Sequence, residues 1–285
     1  MRVLVTGAAG FLGKHVVPGL AAAGHDVVAA SRQPVDGYAW RRIEDLRGTV
    51  EWDRLLQDID AAVHLANIAH QTASEADFER VNHQATVELC AAAKRRGLAH
   101  LVFVSSIYAQ VGQHAERLLT EDDTPAPANA YGRSKLAAER AVAASGVPFT
   151  NLRPMLVLGE GAKGNVATLY KLARLPLPLP LGSIKARRSF VSLENVVSAL
   201  VHVLGDERAK GQTFIVANRT PLSVGELVAD VRGRLGRRPG VVTLPGGMLE
   251  ALMRLPGGRG VWDKIGRPLV ASSAKLMALG WSPTR

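Results

Sequence analysis

The sequence has few of the residues on which several classes of protein depend. It contains one cysteine, Cys90, which excludes an intramolecular disulfide and suits a reducing compartment, so we expect a cytoplasmic protein. Aromatic residues make up only 5% of the chain, too few to favour base stacking along a nucleic acid. Glycine, proline or a charged residue interrupts every apolar run before the ~20 residues that span a bilayer. We therefore expect neither a membrane span nor a nucleic-acid partner.

Metal chemistry is equally unsupported by the sequence. The eight histidines show no metal-ligand spacing, and a single cysteine cannot complete a zinc site, so we predict no metal. His64 lies in an apolar run and is interpreted as a core histidine rather than a ligand or catalyst. Cys90 is interpreted as a buried helix residue rather than a reactive thiol.

What the chain does have is positive charge and a large apolar fraction. Its formal net charge is +10, and 47% of its residues are hydrophobic, which predicts a folded protein with an extensive core. A charge of this size raises the question of a nucleic acid or an acidic membrane surface. The basic pairs are scattered along the sequence, however, and favour an anionic small substrate and an ordinary solvated surface.

The first 155 residues alternate short β-branched runs with longer Ala-rich segments of helical period. This is the βαβ pattern of a parallel sheet, and it predicts an α/β protein with a Rossmann-type, doubly wound parallel sheet. The predicted strands are 2–6, 26–31, 60–66, 99–105 and 148–153. The predicted helices are 11–23, 75–97 and 130–145.

After residue 155 the alternation changes. The three prolines of 172–183 exclude a helix or a central strand there. A strand over 188–193, a helix over 194–206 and a strand over 213–218 are predicted to rejoin the first domain. The expected organisation is therefore a dinucleotide-binding domain over 1–155, which 187–218 rejoins, and a small C-terminal substrate-binding lobe within 156–285.

The segment VLVTGAAGFLG places three glycines between a buried strand and an amphipathic helix. Gly7 suits the positive φ of a tight strand-to-helix turn, and Gly10 lets a pyrophosphate approach the backbone because it has no Cβ. Gly13 permits close packing of the helix on the sheet. The turn predicts a dinucleotide site, although its spacing is GxxGxxG and a purely structural turn is the alternative.

The residues after the second predicted strand bear on the choice of cofactor. A carboxylate at this position would accept hydrogen bonds from the adenosine ribose of NAD, but the sequence reads Ser31-Arg32. Arg32 could pair with a 2′-phosphate, which leans the prediction towards NADP over NAD. An ordinary surface arginine is the other interpretation.

A second motif, YGRSK, carries the candidate chemistry. Tyr131 and Lys135 are four residues apart and share one helix face, so a nearby ammonium is expected to lower the pKa of the phenol for general acid/base catalysis. The preceding strand ends in Ser105-Ser106, at the sheet edge where such folds bind ligands. Ser106 is expected to hydrogen-bond the reacting oxygen.

With these residues in place, the chain resembles the extended short-chain dehydrogenase/reductases, in particular the NAD-dependent epimerase/dehydratase branch. The likeness is greatest to bacterial polysaccharide-pathway enzymes related to UDP-glucose 4-epimerase. It covers nearly the whole chain and rests on TGAAGFLG, Asp45-Leu46, HLAN at 64–67, Asn82, the serine pair at 105–106, YGRSK, LRP at 152–154 and RRSFVSLENVV at 187–197.

The resemblance implies roles for further residues. Those that match cofactor-binding positions are Phe11 and Leu12 of the glycine turn, Asp45 and Leu46 beside adenine, Leu65, Ala66, Asn67 and Asn82 along the cofactor, and Pro154 and Met155 beside the nicotinamide. Asn165 and Arg188 match the residues that hold a sugar nucleotide's diphosphate, which the planar fork of arginine suits. Three have plainer alternatives, with Asp45 as a turn residue, Asn165 as a helix N-cap and Arg188 as a surface charge.

The resemblance also limits which reactions are expected. Dehydratases of this family follow their catalytic Thr or Ser with Asp-Glu, whereas Ile107 and Tyr108 follow Ser106, so dehydration is not expected. The predicted function is an NAD(P)-dependent 4-epimerase of a UDP-hexose. A reductase of a 4-keto nucleotide sugar or another carbonyl compound, and a non-catalytic dinucleotide-binding regulator, remain alternatives. In relatives, the counterparts of helices 75–97 and 130–145 form a four-helix dimer interface, so the resemblance implies a homodimer.

Overall fold

The computed structural model describes residues 1–69, 73–162, 164–244, 247–248, 262 and 264–284, and the side chain of Asn165 lies outside this description. Its centre is a seven-stranded parallel sheet. The strands lie side by side in the order Ala39–Arg42, Asp26–Ser31, Arg2–Thr6, Ala61–His64, His100–Val104, Phe149–Pro154 and Gln212–Val216. The strands are β1 Arg2–Thr6, β2 Asp26–Ser31, β3 Ala39–Arg42, β4 Ala61–His64, β5 His100–Val104, β6 Phe149–Pro154 and β9 Gln212–Val216. The predicted Rossmann-type sheet is confirmed, since successive strands add first on one side of β1 and then on the other.

Helices cover both faces of this sheet. They are α1 Gly13–Ala22, α2 Trp52–Leu55, α3 Glu75–Phe78, α4 Ala85–Arg95, α5 Ala130–Ala144, α6 Asn165–Arg174, α7 Leu193–Gly205, α8 Val224–Arg234 and α9 Ala274–Met277. Alternate residues of β1 separate the two cores: Val3 and Val5 pack with α1 and α7, whereas Leu4 faces α4 and α5. Among the described residues, no helix is long and apolar enough to cross a bilayer.

The second half of the chain only partly follows the prediction. Strand β9 joins the main sheet beside β6 as expected, but the predicted strand 188–193 is shorter, Phe190–Ser192 (β8), and pairs instead with Leu156–Leu158 (β7) in a separate two-stranded sheet. The tail returns to the main core through Leu276 and Trp281. A third apolar cluster, built where α6 packs on α8, forms the core of the small lobe.

Two elements of the first half differ from the expectation. The edge strand β3 was not predicted, because its sequence AWRR is largely exposed and shows no apolar alternation. The predicted helix 75–97 is divided into α3 and α4 by a π-helical segment, Glu79–Gln84. Cys90 lies buried in α4, where burial raises the pKa of its thiol to about 12. The interpretation of Cys90 as an unreactive helix residue agrees with this placement.

Candidate active site

The glycine turn lies between β1 and α1 at the carboxyl edge of the sheet. Gly7 adopts φ 70°, and its carbonyl accepts a hydrogen bond of 2.9 Å from the Gly10 N–H. A Cβ on Gly7 would lie 2.9 Å from the Ala66 nitrogen, and one on Gly13 would overlap the carbonyl oxygens of Gly7 and Ala8. The turn, the loop after β4 and the start of α1 therefore fit together only around glycine.

The turn has the shape that a dinucleotide pyrophosphate requires. Gly10 is exposed, and it leads into the N-terminus of α1, where the positive end of the helix dipole favours an anionic group. Phe11 and Leu12 continue the turn, both partly buried, and the Phe11 ring lies 3.4 Å from where a Cβ on Gly159 would stand. These residues fit the predicted cofactor site on geometric grounds.

Replacement of Gly10 by alanine is expected to raise the dissociation constant for a nicotinamide dinucleotide about tenfold or more. The added methyl would sit 3.0 Å from the Gly7 carbonyl oxygen and occupy the space that a pyrophosphate needs. Gly205→Ala is the matched control, because nothing lies within 4 Å of that position. Titration calorimetry measures both, and unchanged affinity in Gly10→Ala would contradict the assignment.

The loop after β4 is held in place by Asn82 of the π-helical segment. The Asn82 Oδ1 accepts the Ile68 N–H at 2.9 Å, while its Nδ2 donates to the Ile68 carbonyl at 3.0 Å and to Ser134 Oγ at 3.1 Å. Leu65 is buried, Ala66 is partly buried, and the exposed Asn67 donates to the Leu65 carbonyl at 2.8 Å. Asn82 therefore positions against α5 the loop that is predicted to lie along the cofactor.

The end of β2 carries the residues expected near the adenosine ribose. Ser31 is buried, and its hydroxyl donates to the Gln33 carbonyl. The Trp40 indole N–H of β3 reaches the Ser31 carbonyl and hydroxyl oxygens, each at 3.2 Å. Arg32 is exposed, which leaves its guanidinium accessible to an anionic group.

The pair expected beside adenine lies in the following loop. Leu46 is buried in the core, whereas Asp45 is exposed and its Oδ1 accepts the Arg47 backbone N–H at 2.9 Å. The Asp45 carbonyl also accepts the Gly48 N–H at 2.9 Å. Asp45 thus forms the turn that the plainer alternative described, with its carboxylate still at the surface.

Ser106 and Tyr131 meet at the carboxyl edge between β5 and α5. The Ser106 hydroxyl is close enough to the Tyr131 phenol to lower the pKa of that group, and Ser106 Oγ accepts the Tyr108 N–H at 3.2 Å. The rings of Phe78 and Tyr108 flank Tyr131, with centroids 5.9 and 6.5 Å from its own. Burial raises the pKa of Tyr131 to about 12, and the Ser106 hydroxyl partly offsets this effect.

The raised pKa of Tyr131 differs from the expectation that Lys135 lowers it in the resting protein, and Lys135 does not contribute to the shift. Lys135 is buried, and its Nζ donates to the Val104 carbonyl at 2.7 Å and lies 4.3 Å from the centroid of the Phe103 ring. Burial lowers the pKa of Lys135 to about 7, although Glu139 acts in the opposite direction. The i,i+4 spacing gives the shared helix face but not the direction of the ammonium, which the buried carbonyl of β5 decides.

A buried ion pair stands one helical turn beyond Lys135. Arg153 of β6 donates to Glu139 of α5, with its closest contact at 2.6 Å from Nη2, and to Gln110 Oε1 at 2.6 Å from Nη1. Arg153 immediately precedes Pro154 and Met155, the buried segment predicted to lie beside the nicotinamide. The network therefore ties that segment to the catalytic helix, a link that sequence reasoning missed.

Arg188 is buried, so the structure does not support its interpretation as a surface charge. Its Nη1 donates to the Arg267 carbonyl at 2.7 Å and its Nη2 to the Gln113 carbonyl at 3.0 Å. Burial lowers the pKa of Arg188, and the nearby Tyr108 phenol acts against that shift. Tyr108 thus lies near both Arg188 and Tyr131. In the sequence, its position two residues after Ser106 is the one signal that could have identified it as a site residue. The predicted partner of Arg188, Asn165, begins α6, but its side chain lies outside the described residues.

His64 is a core histidine, as predicted. Its Nδ1 shares a hydrogen bond of 2.7 Å with Thr6 Oγ1, and its ring stacks on Phe103 at 5.9 Å. Burial, with a smaller contribution from Lys135, lowers the pKa of His64 to about 3, so the imidazole is neutral. Within the part of the chain that the structure describes, no three metal-ligating side chains lie together.

Comparison with known proteins settles the family. The model of the NAD dependent epimerase/dehydratase family matches residues 3–217. The chain belongs to this family. It is an enzyme of the extended short-chain dehydrogenase/reductase type, as the resemblance implied, and the glycine turn, Ser106, Tyr131 and Lys135 all lie within the matched region.

Individual relatives cover almost the whole length of this family member. It is 30% identical to a UDP-glucose 4-epimerase of Vibrio cholerae over 99% of this chain and 90% of that protein. It is 27% identical to a ceramide reductase of Caulobacter vibrioides over 99% and 86% of the two chains. Among solved structures, MoeE5 in complex with UDP-glucose and NAD is 27% identical and superposes with a TM-score of 0.78, covering 100% of this chain and 94% of that one.

Proposed function

We propose that the protein is a nucleotide-sugar 4-epimerase that acts on a UDP-hexose. The observation that carries the proposal is the placement of Ser106 and Tyr131 next to each other at the same sheet edge as the glycine turn. The Vibrio epimerase and the UDP-glucose complex of MoeE5 support the choice of sugar nucleotide. A pathway of polysaccharide synthesis, a cytoplasmic location and a homodimer remain predictions of this proposal.

Tyr131 and Ser106 have different roles at the C4 hydroxyl of the sugar. Tyr131 removes the proton of the C4 hydroxyl and later returns one to the C4 oxygen, while Ser106 orients that oxygen. A bound nicotinamide dinucleotide supplies the hydride acceptor and donor. The raised pKa of the resting phenol keeps it protonated, so it holds a proton to donate, but both proton donation and action as a base need an ammonium close by to lower that pKa. Lys135 would supply this ammonium if its side chain left the Val104 carbonyl and turned into the cleft. There it would also bind the nicotinamide ribose.

The cofactor proposal is NAD or NADP, with a modest lean to NADP. NAD in the MoeE5 complex supports the first, and the exposed Arg32 in place of a carboxylate supports the second. Titration of the protein with each dinucleotide separates the two. Arg32→Gln should weaken binding of NADP alone if the guanidinium pairs with the 2′-phosphate.

The epimerase proposal is tested by the need for added cofactor. An epimerase regenerates its dinucleotide in each turnover and can retain it, whereas a reductase must exchange it. Denaturing the purified protein should therefore release a dinucleotide, and UDP-glucose supplied alone should be converted to its C4 epimer. Conversion that needs NADPH at every turnover would overturn the epimerase.

A reductase of a carbonyl compound is the second candidate, which the ceramide reductase of Caulobacter favours. In that case the substrate would enter as a ketone and leave as an alcohol, with Tyr131 donating the proton to its oxygen. Burial, which raises the pKa of Tyr131, favours the protonated phenol that this direction needs. Consumption of NADPH with a ketone, but no change in UDP-hexoses, would establish it.

Arg188 distinguishes a diphosphate substrate from a simpler carbonyl compound. If Arg188 exchanges its contacts with the Arg267 and Gln113 carbonyls for the diphosphate, Arg188→Lys should raise the KM for UDP-glucose about ten- to a hundredfold, because a bidentate hydrogen bond to a charged group is lost. Arg187→Gln is the control, since this neighbouring guanidinium is exposed and pairs with Glu226. Steady-state kinetics measures both variants, and an unchanged KM in Arg188→Lys would exclude its contact with the diphosphate.

A further inference from the structure

The positive charge of the chain is concentrated in its second half. Residues 1–155 contain 16 Lys and Arg against 17 Asp and Glu, whereas residues 156–285 contain 19 against 8. The formal net charges of the two parts are therefore −1 and +11. A nucleotide-sugar diphosphate needs only one or two of these cations, so the excess calls for a separate account.

Part of this charge lies where α6 and α8 end side by side. The buried Arg232 holds the two helix ends together, because its Nη2 donates to the carbonyls of Leu175 at 3.0 Å and Leu177 at 2.8 Å. Its Nη1 donates to the carbonyls of Pro239 at 3.0 Å and Gly240 at 2.7 Å. We refer to residues 174–178 and 234–242 together as the lobe tip.

The lobe tip exposes aliphatic side chains on a fixed backbone. Leu175, Leu177, Leu235 and Val242 are 43%, 64%, 40% and 43% exposed, and they are four of the nine exposed large hydrophobic residues among those described. Because Arg232 fixes the carbonyls of Leu175 and Leu177, the loop that carries them is held in this conformation. Several exposed aliphatic residues at one end of the lobe make this end a candidate interaction surface.

Cations surround these aliphatic residues. The exposed basic residues at or beside the lobe tip are Lys171, Arg174, Arg234, Arg237 and Arg238. Among the residues that the structure describes, two acids pair with them: Glu160 lies 3.5 Å from Arg174, and Asp230 lies 3.0 Å from Arg234. Three formal positive charges remain in excess, and both ion pairs are exposed to solvent, where they are weak.

We propose that the lobe tip docks on a bilayer that contains anionic phospholipids. Its leucines would enter the boundary between headgroups and acyl chains, and its guanidinium groups would pair with lipid phosphates. A nucleic acid fits less well, because the exposed apolar groups of the tip are aliphatic and cannot stack on bases as aromatic rings do. The protein would then act as a peripheral enzyme at an acidic membrane surface.

Vesicle sedimentation of the full-length protein tests this surface. We expect it to sediment with vesicles of phosphatidylcholine mixed with phosphatidylglycerol, far less with phosphatidylcholine alone, and less as salt rises. The double variants Leu177→Ser/Leu235→Ser and Lys171→Gln/Arg238→Gln should each reduce partitioning about tenfold or more. All four residues are exposed and outside the active site, so turnover and thermal unfolding should match the wild type.

Matched controls separate the tip from general stickiness and charge. Leu118→Ser removes an exposed aliphatic group elsewhere, and Arg219→Gln removes an exposed cation of the same half of the chain. Both should sediment like the wild type. The proposal fails if the protein ignores vesicles rich in phosphatidylglycerol at low salt, or if the controls lose as much binding as the tip variants. It also fails if the Lys171→Gln/Arg238→Gln variant loses affinity for duplex DNA while vesicles bind neither protein.

Discussion

The Tyr131→Phe variant is expected to turn over UDP-glucose about 10²–10⁴-fold more slowly than the wild type, because it has no proton to exchange with the C4 oxygen. The change removes one hydroxyl group whose described partner is Ser106, so the fold and the glycine turn should be unaffected. Dinucleotide affinity should therefore stay close to that of the wild type, and the loss should appear in kcat rather than in KM. Steady-state kinetics with calorimetric titration of the dinucleotide measures both quantities.

Tyr170→Phe is the control for this variant, since Tyr170 is a partly buried tyrosine of α6 in the small lobe. It should retain the wild-type rate. If Tyr131→Phe keeps most of its turnover, Tyr131 is not the acid and base of the reaction. If the wild type itself has no turnover while Tyr131→Phe supports normal growth, the protein is the non-catalytic regulator instead.

The Arg153→Met variant is expected to lose about 3–5 kcal/mol of free energy of unfolding, because it leaves the Glu139 carboxylate buried without its ion-pair partner. Both side chains are almost fully buried, at 6% and 4% exposure, so water cannot replace the lost contact. Gln110 Oε1 loses its Arg153 donor at the same time. Denaturant unfolding followed by circular dichroism measures the change.

A second variant distinguishes an unpaired charge from a simple loss of packing. Arg153→Met/Glu139→Leu removes both charges and should recover most of the stability. The matched control is Arg133→Met, which breaks a pair of the same length, 2.6 Å to Glu75, whose side chains are 52% and 78% exposed. That variant should lose at most about 1 kcal/mol. Equal losses in Arg153→Met and Arg133→Met would contradict this account of the buried pair.

The sequence predicted the sheet well because its strands are buried and apolar. Strands β1, β2 and β5 lie between helices on both faces, so each contains an unbroken run of three or four apolar residues, and the pattern is unambiguous. The edge strand β3 was not predicted, because an exposed strand needs no apolar pattern. Helix α8 escaped because two of its eleven residues are glycine, including the buried Gly225 against Leu181.

The candidate site was predictable in its residues but not in its electrostatics. Spacing was enough to place Tyr131 and Lys135 on one helix, and chain order was enough to place Ser106 beside them. The direction of the Lys135 ammonium depends on the Val104 carbonyl, which a neighbouring element supplies, and the pKa of Tyr131 depends on burial by Phe78 and Tyr108. The link from Arg153 to Glu139 joins residues fourteen apart in the chain and has no motif to signal it.

Turnover of UDP-glucose in D₂O tests the proposed chemistry most directly. If the hydrogen of C4 leaves and returns as a hydride while Tyr131 moves only the hydroxyl proton, the epimer keeps its original hydrogen at C4. Proton NMR of the product should then show full intensity at that position after many turnovers. Deuterium at C4 of the epimer would mean that the carbon was deprotonated and refilled from solvent, which contradicts hydride exchange.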